Sequence, residues 1–357
     1  MSFKLTGEQR EFQDSLRKFL STEFPLKLVR ERYDGKSARQ DEIWRQLKAF
    51  GLLETFGQPK EAGGAGISEL CIVAYETGFN LLPAALTEFA LCGPYLVSTI
   101  LGSDESGVLE KVSGSSIDQL KSGQVAATVA WSGAAPEVSK GGGLLTGICR
   151  FCPEADRASV LIRLSPQQAY LCRISPGTAK LQQVELLDRS ITYFEVDLKD
   201  CEAVALSKAS SRQLYLTLMA LKACEMAGIC EQVCHMTFEY LKTRKQFGVP
   251  VGGFQAVQHR AADMWLQSQA LLSIAFFAGW AAHASPQQLE LAALAAAAYA
   301  AENGCEVVEA GLQLHGGIGF TWEYDLHLYL RRARVLKVLL GSDPALGADL
   351  ISAAASL

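Results

Sequence analysis

The chain has 357 residues, 49% hydrophobic and 20% charged, which is enough apolar material for a large core divided among two or three domains. This composition excludes a disordered or collagen-like chain. The 33 basic and 38 acidic residues give a net charge of −5, so the sequence offers no basic surface for duplex nucleic acid and we expect no such partner.

The first part of the chain has a helical pattern. Thr6 and Gln9 have the spacing of a capping box, and apolar residues then recur on one face through residues 12–20. A second helix is predicted over residues 43–50. We therefore expect an N-terminal α-helical domain over residues 1–118.

The pattern changes to that of a sheet in the middle of the chain, over residues 119–207. Short runs rich in β-forming residues alternate there with clusters of Gly, Pro, Asp and Ser, which predicts a small antiparallel β domain. The predicted strands cover residues 125–131, 144–151, 159–164, 169–174 and 191–198.

Long helices return from residue 208 to residue 357. The alanine-rich third segment allows close helix packing, which favours a four-helix bundle. The predicted helices cover residues 213–243, 255–280, 287–314 and 323–340. The fold class is therefore α+β and mostly helical, in the order helices, β domain, helical bundle.

Several features point to a cytoplasmic protein without a metal. The N-terminus carries charge from its start and resembles neither a signal peptide nor a transit peptide, and the longest apolar stretches are too short for a membrane span. Cys149 and Cys152 form a C-x-x-C pair, but a zinc site needs a second ligand pair that the sequence does not offer. We expect the ten cysteines to be reduced and mostly buried as small hydrophobic residues.

Two segments of the last domain have the composition of an anion-binding site. Residues 244–248 read RKQFG and residues 313–324 read QLHGGIGFTWEY. An arginine at a helix end provides a guanidinium fork for phosphate oxygens, and paired glycines allow a backbone to approach a ligand. Each feature alone is equally compatible with a solvated helix end or a tight interhelical turn.

At these two segments, and at residues 254–259 (FQAVQH), the sequence resembles the acyl-CoA dehydrogenase family of flavoenzymes, and the resemblance extends over essentially the whole chain. It implies that fold, with FAD as cofactor. It also implies that one subunit contacts the FAD of its neighbour across a subunit interface. Carried over by position, the cofactor-binding residues are Arg244, Gln246, Phe247, Gln255, Gln313, Gly316 and Gly317.

The sequence departs from the family at the positions that the resemblance assigns to catalysis and to the flavin ring. Leu340 stands where the resemblance places the catalytic glutamate, and Leu218 stands at the alternative position used by a minority of the family. The resemblance also places the flavin-facing hydroxyl and amide groups of the middle domain at positions that here hold Ala130 and Pro153, and a proline has no backbone N–H to donate. We therefore predict no catalytic residue in this chain.

These departures favour a subunit of a heteromeric acyl-CoA dehydrogenase of bacterial type. In this hypothesis the chain donates its diphosphate-binding motifs to a catalytic partner subunit, in an α2β2 assembly that desaturates a bulky, steroid-type acyl-CoA and passes electrons to an electron-transfer flavoprotein. Two alternatives stay open. One is a self-sufficient dehydrogenase with a displaced base, Asp343 or Glu225, although Glu225 lies two helical turns from Leu218. The other is a scaffold protein without enzymatic function.

Overall fold

The computed structural model describes residues 5–35, 40–58, 64–96, 100, 119, 126–131, 137–138, 143–284, 286–341 and 346–355. The chain forms two compact units. Unit 1 consists of Met1–Arg30, Ile67–Leu82 and Met219–Leu357, and unit 2 consists of Glu31–Gly66 and Pro83–Leu218. Two helices, Leu26–Tyr33 and Lys208–Thr243, run from one unit into the other.

Unit 1 is built from long helices, as the sequence predicts for the end of the chain. Its first helix begins with the predicted capping box, since the Gln9 backbone N–H donates to Thr6 Oγ1 at 3.2 Å and the Thr6 N–H donates to Gln9 Oε1 at 3.0 Å. The helices contributing to this unit are α1 (Gly7–Glu23), α2 (Leu26–Tyr33), α5 (Ile67–Phe79), α7 (Lys208–Thr243), α8 (Gln255–Ala284), α9 (Pro286–His315), α10 (Leu326–Gly341) and α11 (Leu346–Ala355).

The four helices predicted for the bundle correspond to α7, α8, α9 and α10, and the fold class is confirmed. The sequence-based prediction missed α11. The predicted domain limits of 1–118, 119–207 and 208–357 stay a prediction.

Two glycines allow α5 and α7 to cross at backbone contact. A Cβ atom at Gly78 would lie 1.9 Å from the carbonyl oxygen of Glu225, and one at Gly228 would lie 2.0 Å from that of Tyr75. No side chain fits at either position, so the crossing requires glycine on both helices. This close approach fixes the middle of α7.

Unit 2 contains the β domain and short helices. Besides the two helices it shares, it holds α3 (Gln40–Ala49), α4 (Leu52–Phe56), a π-helical segment (Leu86–Leu91) and α6 (Cys92–Tyr95). Its strands are β1 (Ala127–Ala130), β2 (Glu137–Val138), β3 (Leu144–Pro153), β4 (Val160–Leu164), β5 (Ala169–Arg173), β6 (Ala179–Val184) and β7 (Tyr193–Ala205). All five predicted runs form strands, and the short β2 and the polar β6 were missed.

The seven strands form one sheet in the order β1-β4-β5-β7-β3-β2, with β6 also paired to β7. All pairs are antiparallel except β1 with β4, in which Ala127 lies opposite Val160 in parallel register. The sequence-based expectation of a purely antiparallel sheet was therefore wrong at this pair, because β1 and β4 are not joined by a hairpin.

All ten cysteines are free and buried, as expected. Cys149 and Cys152 lie in β3 and contribute to the core of the β domain, together with Cys172 and Cys201. Burial raises the pKa of Cys149 to about 12, so its thiol stays protonated. The C-x-x-C pair is part of the hydrophobic core.

Within the described ranges, no single helix combines the length and apolar composition of a membrane span, and α10 and α11, bent by 62°, meet those criteria only as a pair. In the same part of the chain, no group of three or more His, Cys, Asp or Glu side chains is placed to hold a metal ion.

Candidate functional site

The RKQFG segment forms a tight hairpin at the end of α7. Lys245–Gln246 (β8) pairs antiparallel with Val249–Pro250 (β9), so Phe247 and Gly248 form a two-residue turn. The Arg244 carbonyl accepts a 2.8 Å hydrogen bond from the Val251 N–H, which closes the hairpin at its base. The position of Arg244 at the helix end is therefore fixed by backbone hydrogen bonds.

Phe247 is held in a strained and exposed position. Its φ of 51° and the φ of 81° at Gly248 give the pair of left-handed residues of a type I′ turn. A residue with a side chain pays roughly 1 kcal/mol or more for this conformation. The ring is 92% exposed and touches Phe254 edge to face at 6.1 Å between ring centroids. A strained, exposed aromatic residue on an ordered hairpin is typical of a binding surface.

The guanidinium of Arg244 is available to a ligand. Arg244 is exposed, and within the described part of the chain only its backbone takes part in hydrogen bonds. Gln246 lies exposed on the same hairpin, and Gln255 is exposed at the first residue of α8.

The second motif forms a turn at the end of α9. Gly316 begins a 3₁₀ segment, Gly316–Phe320, and its φ of 63° favours glycine. Gly317 has no such constraint, and a Cβ atom there would meet no atom within 4 Å. Neither backbone conformation nor packing within the chain requires a glycine at position 317, whereas close approach of a ligand would. Gln313, Gly316 and Gly317 are all exposed.

His315 connects the two motifs. Its ring stacks on Tyr240, one helical turn before Arg244, with ring centroids 4.4 Å apart and an interplanar angle of 25°. Nδ1 lies 2.8 Å from the Gly311 carbonyl oxygen and Nε2 lies 3.0 Å from the Tyr324 hydroxyl. A carbonyl cannot donate, so Nδ1–H is the donor, and Nε2 accepts from Tyr324 when the ring is neutral. The structure thus brings the hairpin and the glycine turn together through one aromatic contact.

The protonation state of His315 agrees with these bonds. Burial lowers the pKa of His315, and the hydrogen bond to the Gly311 carbonyl only partly offsets this. The ring is therefore neutral at neutral pH. His315 therefore has a packing and backbone-bonding role.

A further ion pair anchors the glycine turn. Arg30 of α2 bonds to Asp325 at 2.7 Å, just before α10, and its guanidinium also bonds to the Trp322 carbonyl. The sequence-based reading missed this anchor and Tyr240. Tyr240 could have been found from its i, i+4 spacing to Arg244, whereas Arg30 lies 295 residues from Asp325 and gives no local signal.

The two expected base positions are filled by core side chains. Leu340 is fully buried in α10 and Leu218 is 1% exposed in α7. Neither can accept a proton. Of the two displaced candidates, Asp343 lies outside the described residues.

Glu225, the other displaced candidate, is locked in a buried ion cluster. Its carboxylate lies 2.5 Å from Lys222 Nζ and 2.9 Å from Arg332 Nη1, and Arg332 also donates to the Leu82 carbonyl at 3.0 Å. Burial alone would raise the pKa of Glu225, but the two cations outweigh burial and lower it. A carboxylate with a low pKa and two fixed partners is a poor general base.

Ala130 and Pro153, the two altered positions of the β domain, face the interior of that domain. Pro153 ends β3, and its carbonyl accepts a 2.5 Å hydrogen bond from the buried Thr128 hydroxyl. Ala130 is fully buried in β1. Glu154, which follows Pro153, is buried, and its carboxylate accepts a hydrogen bond from Trp44 Nε1 at 2.7 Å. Neither Ala130 nor Pro153 therefore has a side-chain donor with which to contact a flavin ring, and Pro153 also lacks a backbone N–H.

These residues fit one half of an FAD site. An exposed arginine, a strained aromatic ring and an open glycine turn suit a diphosphate, whereas the β-domain positions do not suit the flavin ring. The assignment of the seven predicted residues to cofactor binding stays a prediction.

Two family models match the sequence. The model of the acyl-CoA dehydrogenase N-terminal domain matches residues 6–105, and that of the acyl-CoA dehydrogenase C-terminal domain matches residues 218–353. Together they cover more than half of the chain.

Individual relatives and solved structures agree with these matches. The acyl-CoA dehydrogenase IpdE2 of Mycobacterium tuberculosis is 29% identical over 85% of this chain and 83% of its own length. The acyl-CoA dehydrogenase FadE34 of the same organism is 30% identical over 88% of this chain, which spans 42% of the length of that relative. The structure of the Tcur3481-Tcur3483 steroid ACAD G363A variant superimposes with a TM-score of 0.84 and 26% identity, covering 98% of both chains. The ChsE4-ChsE5 complex of Mycobacterium tuberculosis superimposes with a TM-score of 0.78 and 22% identity, over 99% of this chain and 97% of that one.

Proposed function

Because the chain belongs to the acyl-CoA dehydrogenase family, whose cofactor is FAD, we propose that it is the non-catalytic subunit of a heteromeric acyl-CoA dehydrogenase. One observation carries this proposal. The residues suited to a diphosphate are exposed and ordered, while both expected base positions are buried leucines, Leu340 and Leu218.

A division of labour between two different subunits explains this combination. In an assembly of identical chains, loss of the base would inactivate every site. In a heteromeric assembly, the partner subunit holds the flavin ring and the substrate and removes the α-proton with its own carboxylate. FAD, when bound, would supply the hydride acceptor, and this chain would hold its diphosphate with Arg244 and the Gly316–Gly317 backbone, beside Phe247.

The geometry supports these roles for individual groups. The guanidinium fork of Arg244 can donate to two phosphate oxygens, and the exposed face of Phe247 can cover an aromatic or ribose group. The neutral His315 holds both segments in register without a charge of its own. None of these groups accepts a proton from the substrate.

Two similar structures support a proposal for the substrate class and the assembly. One neighbouring structure is described as a steroid ACAD and another as a complex of two named proteins, ChsE4 and ChsE5. We propose a bulky, steroid-type acyl-CoA thioester as substrate, an α2β2 assembly, and an electron-transfer flavoprotein as electron acceptor. A site bordered by one subunit without catalytic groups leaves room for a large acyl chain.

Expression with and without a partner tests the proposal. The chain alone should retain substoichiometric flavin and oxidise no acyl-CoA, while coexpression with a catalytic acyl-CoA dehydrogenase subunit should give flavin-loaded, active complex. Flavin absorbance per chain and ferrocenium reduction with a steroid-type acyl-CoA measure both properties. Stoichiometric flavin together with activity in the chain alone would overturn the proposal.

The structure argues against a self-sufficient enzyme that uses Glu225. Proton abstraction by Glu225 would require breaking its bonds to Lys222 and Arg332 in a buried environment. A carboxylate that exchanges protons in turnover needs access to the substrate, and this one is 2% exposed.

A further inference from the structure

Unit 2 contains a cavity of about 680 Å³ that none of the preceding roles uses. Its walls come from the end of α2, the turn after β3, and the segment that joins β6 to β7. The lining is mainly polar and includes Arg32, Tyr33, Glu154, Gln183 and Asp188. A cavity of this size is in the range of small-molecule sites.

Hydrogen bonds make the walls rigid. The Tyr33 hydroxyl lies 3.1 Å from Asp188 Oδ1, and the same oxygen accepts from the Ser190 N–H at 2.9 Å and from the Ser190 hydroxyl at 2.6 Å. The Glu154 N–H donates to the Thr192 carbonyl at 2.8 Å. Because each wall segment is tied to another, the cavity is preformed.

Arg32 lies in this cavity with only neutral partners. Its Nε donates to the Ser190 carbonyl at 3.2 Å and its Nη2 to Thr192 Oγ1 at 3.1 Å. No ion pair engages Arg32 among the residues that the structure describes. Four other arginines show the contrast, since each pairs with a carboxylate: Arg17 with Glu76, Arg30 with Asp325, Arg157 with Asp41 and Arg189 with Glu185.

Arg32 is half-buried, and partial burial without an anionic partner is unfavourable for a guanidinium. Burial lowers the pKa of Arg32, and the more distant carboxylates of Glu154, Asp188 and Asp156 offset this only in part. Its two hydrogen bonds use two of the five N–H donors, so within the described part of the chain both N–H groups of Nη1 are unused. An anion at Nη1 would supply both the charge and the acceptors.

We propose that this cavity binds a small polar molecule through a carboxylate or phosphate group held by Arg32. The two anions share the oxygen geometry that a guanidinium fork recognises. The carboxylates and amides elsewhere in the lining suit hydroxyl or ammonium groups on the remainder of the ligand. The lining residues belong to unit 2, whereas the hairpin and the glycine turn belong to unit 1.

Titrations with inorganic phosphate and with succinate test the site on the full chain. The Nε–H signal of Arg32 in arginine side-chain NMR spectra should shift in a saturable way with at least one of them, at constant ionic strength set with sodium chloride. Saturation by phosphate alone, or by succinate alone, identifies the anion class. No saturable shift with either anion overturns the proposal.

Variants assign the binding to Arg32. Arg32→Gln should lower the affinity for the anion that saturates the site about tenfold or more, because a charge-assisted hydrogen bond is lost. Arg32→Lys keeps the charge without the fork and should weaken binding less. Arg150→Gln is the matched control, since Arg150, on β3, pairs with Glu195 of β7 and does not line the cavity. Unchanged affinity in Arg32→Gln, or an equal loss in Arg150→Gln, overturns the proposal, and neither result bears on FAD or acyl-CoA oxidation.

Discussion

The RKQFG hairpin and the Lys222–Glu225–Arg332 cluster both lie in unit 1, but they differ in the exposure and pairing of their charged groups. The hairpin leaves the Arg244 guanidinium exposed and without a side-chain partner in the described structure, beside a strained, exposed Phe247. The cluster buries one carboxylate between two cations at 2.5 and 2.9 Å. The difference separates a surface prepared for a ligand from a charge cluster that is already satisfied and serves the fold.

The largest expected effect lies in the cluster. Glu225→Gln removes the anion and leaves Lys222 and Arg332 buried together, which should lower the free energy of unfolding by about 3–5 kcal/mol. Urea denaturation measures the change. Glu309→Gln, which breaks the exposed pair with Arg334, is the control and should cost about 0.5 kcal/mol or less. Equal losses in the two variants would remove the contrast between the buried and the exposed pair.

The same variant has a characteristic pH dependence. The folded pKa of Glu225 is depressed, so its contribution to stability is present above the ordinary glutamate pKa of 4.5 and is lost as pH falls through the lower folded value. The wild-type protein should therefore lose stability below about pH 4.5 more steeply than Glu225→Gln. Parallel curves of unfolding free energy against pH would contradict the depressed pKa.

The next effect concerns the hairpin. Arg244→Ala should leave the fold intact but weaken FAD retention in the complex about 10- to 100-fold, since it removes charge-assisted hydrogen bonds to phosphate. Equilibrium dialysis with flavin fluorescence measures the affinity. Lys242→Ala, two residues away and paired with the exposed Glu239, is the control. Unchanged FAD affinity in Arg244→Ala would argue that the hairpin binds something else.

At Phe247 we expect two smaller effects, a gain in stability and a loss of FAD affinity. Phe247→Gly relieves the left-handed conformation and should raise the free energy of unfolding by about 0.5–1 kcal/mol. It should also weaken FAD binding severalfold, because the exposed ring is lost. Thermal unfolding and the same dialysis experiment measure the two effects. A variant that loses stability would contradict the strain, and one that retains full affinity would contradict the contact.

For the last substitution we expect no effect on activity. Asp343→Asn should leave acyl-CoA oxidation by the complex unchanged, because the partner subunit supplies the base. Stopped-flow reduction of the flavin with an acyl-CoA substrate is the measurement. A fall of about 100-fold or more in the reduction rate would instead identify Asp343 as the base and restore the self-sufficient enzyme.

Much of the fold could be predicted from local patterns. The capping box at Thr6, the four long C-terminal helices and five strands follow from periodicity and turn residues. The β6 strand was missed because its exposed, polar sequence lacks an apolar alternation. The parallel pairing of β1 with β4 was missed because it depends on how distant segments meet in the sheet.

The candidate site was predictable in its residues but not in its arrangement. The sequence identified Arg244 and the Gly316 turn by composition. It could not identify the stack of Tyr240 on His315, since 75 positions separate these residues in the chain and only the helix packing brings them together. Glu225 stood out as an acidic residue near an empty base position, and only the packing of α10 against α7 reveals Arg332 as its second partner.

The ten buried thiols can be used to measure local opening motions of the chain. Burial raises the pKa of Cys92 in unit 2 and of Cys234 in unit 1 to about 12, so neither thiol reacts with an alkylating reagent until its surroundings open. Each alkylated cysteine adds a fixed mass that a mass spectrometer assigns to a position. Alkylation rates would therefore give local opening free energies for both units from one unmodified sample, and would reveal which of them a partner subunit protects.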